Sequence, residues 1–264
     1  MERRNFIRLT GFMAAVLALF MFSAFGNQGT TTQEATVEDG KEIYEWRMYT
    51  LTGDGTALDN YFKDVFIPAY NRKGVKVGAF KPYNPEEPEM RYVVCIYPDI
   101  STYHKVSVEL WDDAVFTSAA QGFFDATAPN PLYSNFETFL SEAFTSIPVH
   151  RTPDNDRTLF EIRIYWSPNE EANKRKVKMF DEGEIDIFDD CGINSVFYGD
   201  ILAGPRMPAL MYLTWYKDEA TRAEAWRKFM AHPDWRRISR LPEYANTATN
   251  NTSKFLSPMP YSQL

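Results

Sequence analysis

The sequence predicts an α+β fold made of two tandem β-α-β-β-α-β repeats, packed together as one barrel-like pseudo-dimer. Three recurrences carry this. Residues 44–49 (Tyr-Glu-Trp-Arg-Met-Tyr) and 160–165 (Phe-Glu-Ile-Arg-Ile-Tyr) share the pattern aromatic-Glu-apolar-Arg-apolar-Tyr, 116 positions apart. Gly74–Phe80 recurs as Gly192–Tyr198, 118 apart, and Tyr92–Asp99 recurs as Met211–Asp218, 119 apart. One order with a slow drift in offset is what duplication with small insertions leaves behind.

The chain opens on a targeting pattern. A basic flank, Met1 to Arg8, precedes an apolar run from Leu9 to Phe25, and small residues suit cleavage after Gly26. Arg3-Arg4 followed by Phe6 and Arg8 resembles a bacterial twin-arginine signal. An ordinary Sec signal and an uncleaved anchor remain as alternatives. No Cys lies near the cleavage site, which argues against a lipoprotein anchor. The expected location is periplasmic or secreted. Residues 27–41 are polar and aperiodic and read as a flexible spacer.

The first repeat is expected over 42–145, a linker over 146–157, and the second repeat over 158–264. Strand one alternates strictly at 43–49 and 159–165, the mark of a half-buried strand. Helix one of the first copy carries Leu58, Tyr61, Phe62, Val65 and Ala69 at helical spacing. Strand two is expected at 75–81 and 193–199, then a proline-rich turn, then strand three at 91–97 and 209–216. Helix two begins near Asp99 or Ser101 and near Asp218, which are good capping types. A last strand fits 136–144 and 252–257. This is the split β-α-β order of ferredoxin-like folds. Helices cover one face of each four-stranded sheet, so the other face needs a second sheet.

Composition narrows the function. Hydrophobic residues make up 44%, charged residues 24%, and the net charge is −8. Loss of residues 1–26 removes three Arg and one Glu and leaves −10. An acidic chain is a poor sequence-independent nucleic-acid binder. After cleavage no membrane span is expected. With 20 Phe, 15 Tyr and 6 Trp the chain is rich in aromatics, which are expected to serve mainly as core, with some lining a cavity. Cys95 and Cys191 read as buried small hydrophobes, or else as a disulfide pair.

Four motifs in the second copy resemble the NIPSNAP family. They are Phe160-Glu-Ile-Arg-Ile-Tyr165, Met179-Phe-Asp-Glu-Gly-Glu-Ile185, Met207-Pro-Ala-Leu-Met-Tyr212, and the Trp226 to Trp235 segment with Phe229, His232, Pro233 and Asp234. The terminal Leu256–Ser262 segment fits as well. The first copy matches only in strand one, Gly74 and strand three. The resemblance implies a dimeric α+β barrel. A homo-oligomer is expected, through further chain-to-chain association. It supplies little chemistry.

No zinc-protease, Cys-x-x-Cys, nucleophile-elbow or phosphate-loop motif is present. The three histidines, His104, His150 and His232, are too few and too scattered for a His-rich metal or haem site. No cofactor is expected. Glu184 falls within the apolar arc of Val177, Phe180, Ile187, Phe188 and Cys191. It is either an acid or base with a raised pKa or a structural carboxylate paired with a buried Arg, Tyr or His. His232 precedes Pro233 and either orients a ligand or bonds the backbone at a helix junction. Glu45, Arg47 and Tyr49 alternate opposite the apolar face of strand one, as do Glu161, Arg163 and Tyr165. If the apolar face meets the helices, these six line the barrel interior as a charge-balanced cavity. The other reading is a set of Glu–Arg ladders that fix sheet register. Tyr198, Tyr212, Trp226 and Trp235 complete the candidate ligand-binding set. The function expected is a non-enzymatic small-molecule-binding or assembly protein. The alternative is a cofactor-independent oxygenase or isomerase acting on a small carbonyl compound.

Overall fold

The computed structural model describes residues 40–264. The signal pattern over residues 1–26 and most of the spacer lie outside the described residues. The first copy runs β1 (Ile43–Leu51), α1 (Thr56–Tyr61), α2 (Ile67–Arg72), β2 (Lys76–Pro82), β3 (Met90–Tyr97), α3 (Ile100–Glu109), α4 (Ala114–Thr127) and β4 (Tyr133–Ala143). The second runs β5 (Leu159–Trp166), α5 (Glu170–Met179), α6 (Ile185–Cys191), β6 (Asn194–Ala203), β7 (Ala209–Tyr216), α7 (Glu219–Ala231), α8 (Pro233–Ile238) and β8 (Asn250–Pro258). Among the described residues no helix is long and apolar enough to cross a membrane.

The strands close into one antiparallel barrel in the order β1-β3-β2-β8-β5-β7-β6-β4. Each copy contributes four neighbouring strands in the ferredoxin-like order. Two short seams join the copies. Phe80–Pro82 of β2 pairs with Pro258–Leu256 of β8, and Leu140–Ala143 of β4 pairs with Ala203–Gly199 of β6. Closure leaves the paired segments without a free edge.

The helices begin where side-chain acceptors satisfy their first N–H groups. Asp99 caps α3 by accepting from the Thr102 N–H at 2.6 Å, and Asp218 caps α7 through Thr221 at 2.7 Å. In both copies the first helix is interrupted by a π-helical turn, Phe62–Phe66 and Phe180–Glu184, 118 residues apart. The turn is therefore part of the repeated unit. Inside the second one Gly183 adopts φ 155°, a conformation that favours glycine.

The direction of the sheet faces differs from the expectation. Tyr44, Trp46, Phe160, Ile162 and Ile164 point into the barrel. There they form one core with Phe80, Phe197, Met211, Leu213 and Leu256. Rings from the two copies touch, Phe80 with Phe160 at 4.8 Å and Tyr44 with Phe197 at 4.4 Å between centroids. Glu45, Arg47, Tyr49, Glu161, Arg163 and Tyr165 lie on the outer face, beneath the helices. The physical reason is that a closed barrel has no wet face. The most apolar surfaces of two sheets share the deepest core, and the polar sets pair under the helical layers. Each layer forms its own cluster, around Phe62, Phe66 and Tyr97 in the first copy and around Phe180, Phe188 and Tyr212 in the second.

Cys95 and Cys191 are both free and buried, on different copies.

Candidate functional site

Both copies place an arginine at the same place on strand one, and the two sites diverge from there. In the first copy Arg47 is held by Glu45. Nε donates to Oε1 at 2.8 Å and Nη2 to Oε2 at 2.9 Å. Nη2 also donates to the Tyr70 hydroxyl at 2.9 Å. Tyr97 donates to Glu45 Oε2 at 2.7 Å, so the carboxylate is fully engaged. Among the described residues Nη1 has only the Tyr49 hydroxyl, at 3.5 Å. The guanidinium lies against the rings of Phe66, Tyr70 and Phe136 at 5.3–5.7 Å. Burial works to lower the Arg47 pKa. Tyr49 and Glu45 outweigh it, and the group is held above the ordinary arginine range.

Above Arg47 lies a cavity of about 270 Å³ between the sheet and the helices. Its floor is Arg47, Tyr49 and Tyr70. Tyr61, Trp111 and Phe124 form part of its wall, and Ser107 of α3 also faces it. The α4 wall is held by ring contacts, Tyr61 on Phe123 at 4.1 Å and Trp111 against Phe124 at 5.6 Å. Trp111 stays 59% exposed, which marks an open side. Burial pushes the Tyr49 phenol up to about 12 and raises Tyr61 and Tyr70 also, so these hydroxyls stay protonated at neutral pH.

The second copy fills the matching layer. β3 sets Val93 beside Arg47 and Ala79, whereas β7 sets Tyr212 beside Arg163 and Tyr198. Two tyrosines thus stand where the first copy has Ala and Val. Tyr212 stacks on Tyr198 at 5.2 Å and on Tyr165 at 5.7 Å, and the Tyr165 and Tyr212 hydroxyls meet at 3.2 Å. Arg163 donates to Glu161 at 2.7 Å and sits 4.7 Å from the Trp226 ring. Glu161, fully buried, also takes Arg222 at 2.7 and 2.9 Å and the Ser253 hydroxyl at 2.5 Å.

Glu184 is buried, 3% exposed, and pairs with Lys176 Nζ at 2.7 Å. The partner is a lysine eight residues back on the same helical segment, before the π-turn. Burial pushes the Glu184 carboxyl up, and the Lys176 ammonium pulls it the other way. Phe180 sits 4.5 Å from that ammonium. At the matching positions, 118 residues earlier, the first copy has Leu58 and Phe66. His232 caps α8: its Nδ1 accepts from the Asp234 N–H at 3.2 Å. Trp235 packs on Phe229 at 4.4 Å. The candidates of the second copy are thus engaged with side chains or backbone of that copy. The open site lies in the first copy, over Glu45, Arg47 and Tyr49. The sequence marks Tyr61 only as part of the apolar face of helix one, and it carries no signal that Tyr70 and Trp111 line a site.

A sheet of ferredoxin-like order closed by its own duplicate defines the class as an α+β barrel pseudo-dimer. Residues 160–263, the second copy, match the NIPSNAP family. No protein of curated function matches the chain in sequence. Among solved structures, a candidate monooxygenase from Fusobacterium nucleatum aligns with TM-score 0.54 at 11% identity, over 83% of this chain and 93% of that one. One from Lactobacillus acidophilus aligns with TM-score 0.52 at 11% identity, over 83% and 94%. These two share the two-copy fold. An uncharacterised NIPSNAP-like domain protein from Burkholderia xenovorans is 24% identical, over 40% of this chain and 88% of its own, with TM-score 0.37.

Proposed function

We propose that the protein binds a small, largely aromatic molecule in the first-copy cavity, over Arg47. One observation carries this reading. The two copies share a fold and an arginine, and above the arginine of the first copy lies a cavity walled by aromatic rings, where the guanidinium Nη1 has one long contact, to Tyr49. The volume of about 270 Å³ lies near the lower end of ligand pockets, roughly 300 Å³ and up, and suits one or two fused rings. Export is part of the reading, supported by Arg3-Arg4 and the apolar run Leu9 to Phe25.

Binding is favoured over acid–base catalysis by the groups present. A general base must be free to take a proton near neutral pH. Among the described residues no Asp or Glu lines the cavity; Glu45, the carboxylate paired with Arg47, is held by Arg47 and Tyr97, and the tyrosines are pushed toward the neutral phenol. An oxygenase or isomerase reading has the fold likeness to candidate monooxygenases behind it, and that likeness is one of fold.

The test is equilibrium dialysis with 1-acetonaphthone, a two-ring ketone. Ser107 faces the cavity from an exposed position on α3, so Ser107→Trp blocks the space without entering the core. Saturable binding of about one equivalent is expected for the wild type, with loss in Ser107→Trp. Equal retention by both proteins, or by neither, contradicts the proposal.

A further inference from the structure

We propose that the cavity selects aromatic molecules whose polar end is a neutral oxygen acceptor, a ketone, quinone or phenol, and that Glu45 is the residue that turns aromatic carboxylates away. This inference rests on the binding reading above and adds the chemistry of the ligand to it.

A buried arginine facing an aromatic pocket ordinarily suggests a carboxylate ligand, because two parallel N–H groups match two oxygens. Arg47 cannot offer that fork. Its Nε and Nη2 edge is already spent on the two oxygens of Glu45, at 2.8 and 2.9 Å. Tyr70 takes a further Nη2 contact at 2.9 Å. The nitrogen with capacity left is Nη1, whose one contact among the described residues is the long one to Tyr49, a cavity-lining residue, at 3.5 Å. One nitrogen serves one acceptor oxygen well.

Charge points the same way. Arg47 and Glu45 cancel, and both are largely buried, with side chains 15% and 8% exposed. A carboxylate on Nη1 would set two carboxylates on one guanidinium in a poorly hydrated layer. It would give up its water without gaining a free countercharge. A ketone or phenol oxygen loses far less on leaving water. It gains a hydrogen bond from a charged donor, the stronger kind. The protonated Tyr49 and Tyr61 hydroxyls add neutral partners and no positive charge. The aromatic walls supply ring contacts, each offset or edge-on pair being worth about 0.5–1.5 kcal/mol.

The second copy shows what a stronger countercharge would look like. There Glu161 faces two arginines, Arg163 and Arg222. In the first copy Glu45 has the one arginine and a tyrosine, Tyr97. No second cation stands by to receive an anionic ligand among the cavity's lining residues.

Three ligands with one ring system test this by calorimetric titration: 1-acetonaphthone, 1-naphthoate and naphthalene. The wild type is expected to bind the ketone at least tenfold more tightly than either of the others. Glu45→Gln frees the charge of Arg47 and is expected to raise naphthoate affinity at least tenfold while the ketone changes less. Naphthoate binding as tight as the ketone in the wild type overturns the inference and leaves the binding reading in place. So does naphthalene binding as tight as the ketone, since the oxygen would then go unread. If none of the three binds, the binding reading falls and takes the inference with it. Should Glu45→Gln fail to fold, the wild-type ranking decides alone.

Discussion

Arg47 and Arg163 occupy one register position in two copies, and their neighbours decide what each can do. Arg47 has Val93 beside it on the sheet, whereas Arg163 has Tyr212. Glu184 shows the same logic for a buried charge. Its pair with Lys176 sits where the first copy manages with Leu58 and Phe66. A buried ion pair is a weak source of stability, but removing one partner strands the other. Glu184→Gln is therefore expected to cost about 3–5 kcal/mol in urea unfolding. The double change Lys176→Leu with Glu184→Phe, which copies the first repeat, is expected to recover most of that loss. A Glu184→Gln variant with the wild-type urea midpoint contradicts a structural role for the pair.

At the scale of elements, the seams between copies are short and depend on close approach. Gly199 of β6 faces Ser141 of β4 so closely that a Cβ there would lie 2.7 Å from the serine Cβ. Gly199→Ala is expected to destabilise the barrel by about 1–3 kcal/mol. Gly122, inside α4 with open space around it, provides the contrast. Gly122→Ala is expected to be neutral or stabilising by about 0.5–1 kcal/mol, because alanine restricts the unfolded chain and favours the helix. Thermal unfolding of the two variants checks both signs. Equal effects would mean that the seam is not tight.

The sequence made the elements legible because three strands of each copy carry a repeated signature and the longer helices a cap, such as Asp99 and Asp218. It could not reveal which face of strand one enters the barrel. Alternation separates Trp46 from Arg47, but it identifies solvent only where one face is wet, and here both faces are covered. Burial of Glu184 was legible from its place in the apolar arc. Its partner Lys176 was not, because the π-turn at Phe180–Glu184 shifts the register between them. His232 followed the capping alternative its Pro233 suggests. The cavity is not legible in the sequence because its lining, such as Tyr61, Tyr70 and Phe124, consists of aromatic residues that read as core.

At the scale of the whole molecule, the copies share one interior. Phe80 packs on Phe160, and Tyr44 on Phe197, so the sheet of either copy completes the core of the other. That shared core fixes strand one in both copies and leaves the outer layers free to diverge. The layer of the second copy holds Tyr198, Tyr212 and the Glu184–Lys176 pair. The first has a cavity under α3 and α4, and the α4 rings Phe123 and Phe124 meet Tyr61 at the end of α1. Duplication in this account separates support from binding within one barrel. The most direct test is a crystal structure of the protein grown with 1-acetonaphthone. The account predicts the ring system between Arg47 and Trp111, with its oxygen about 2.7–3.2 Å from Arg47 Nη1. A ligand seated in the second copy or inside the barrel, with the first-copy cavity unoccupied, would contradict it.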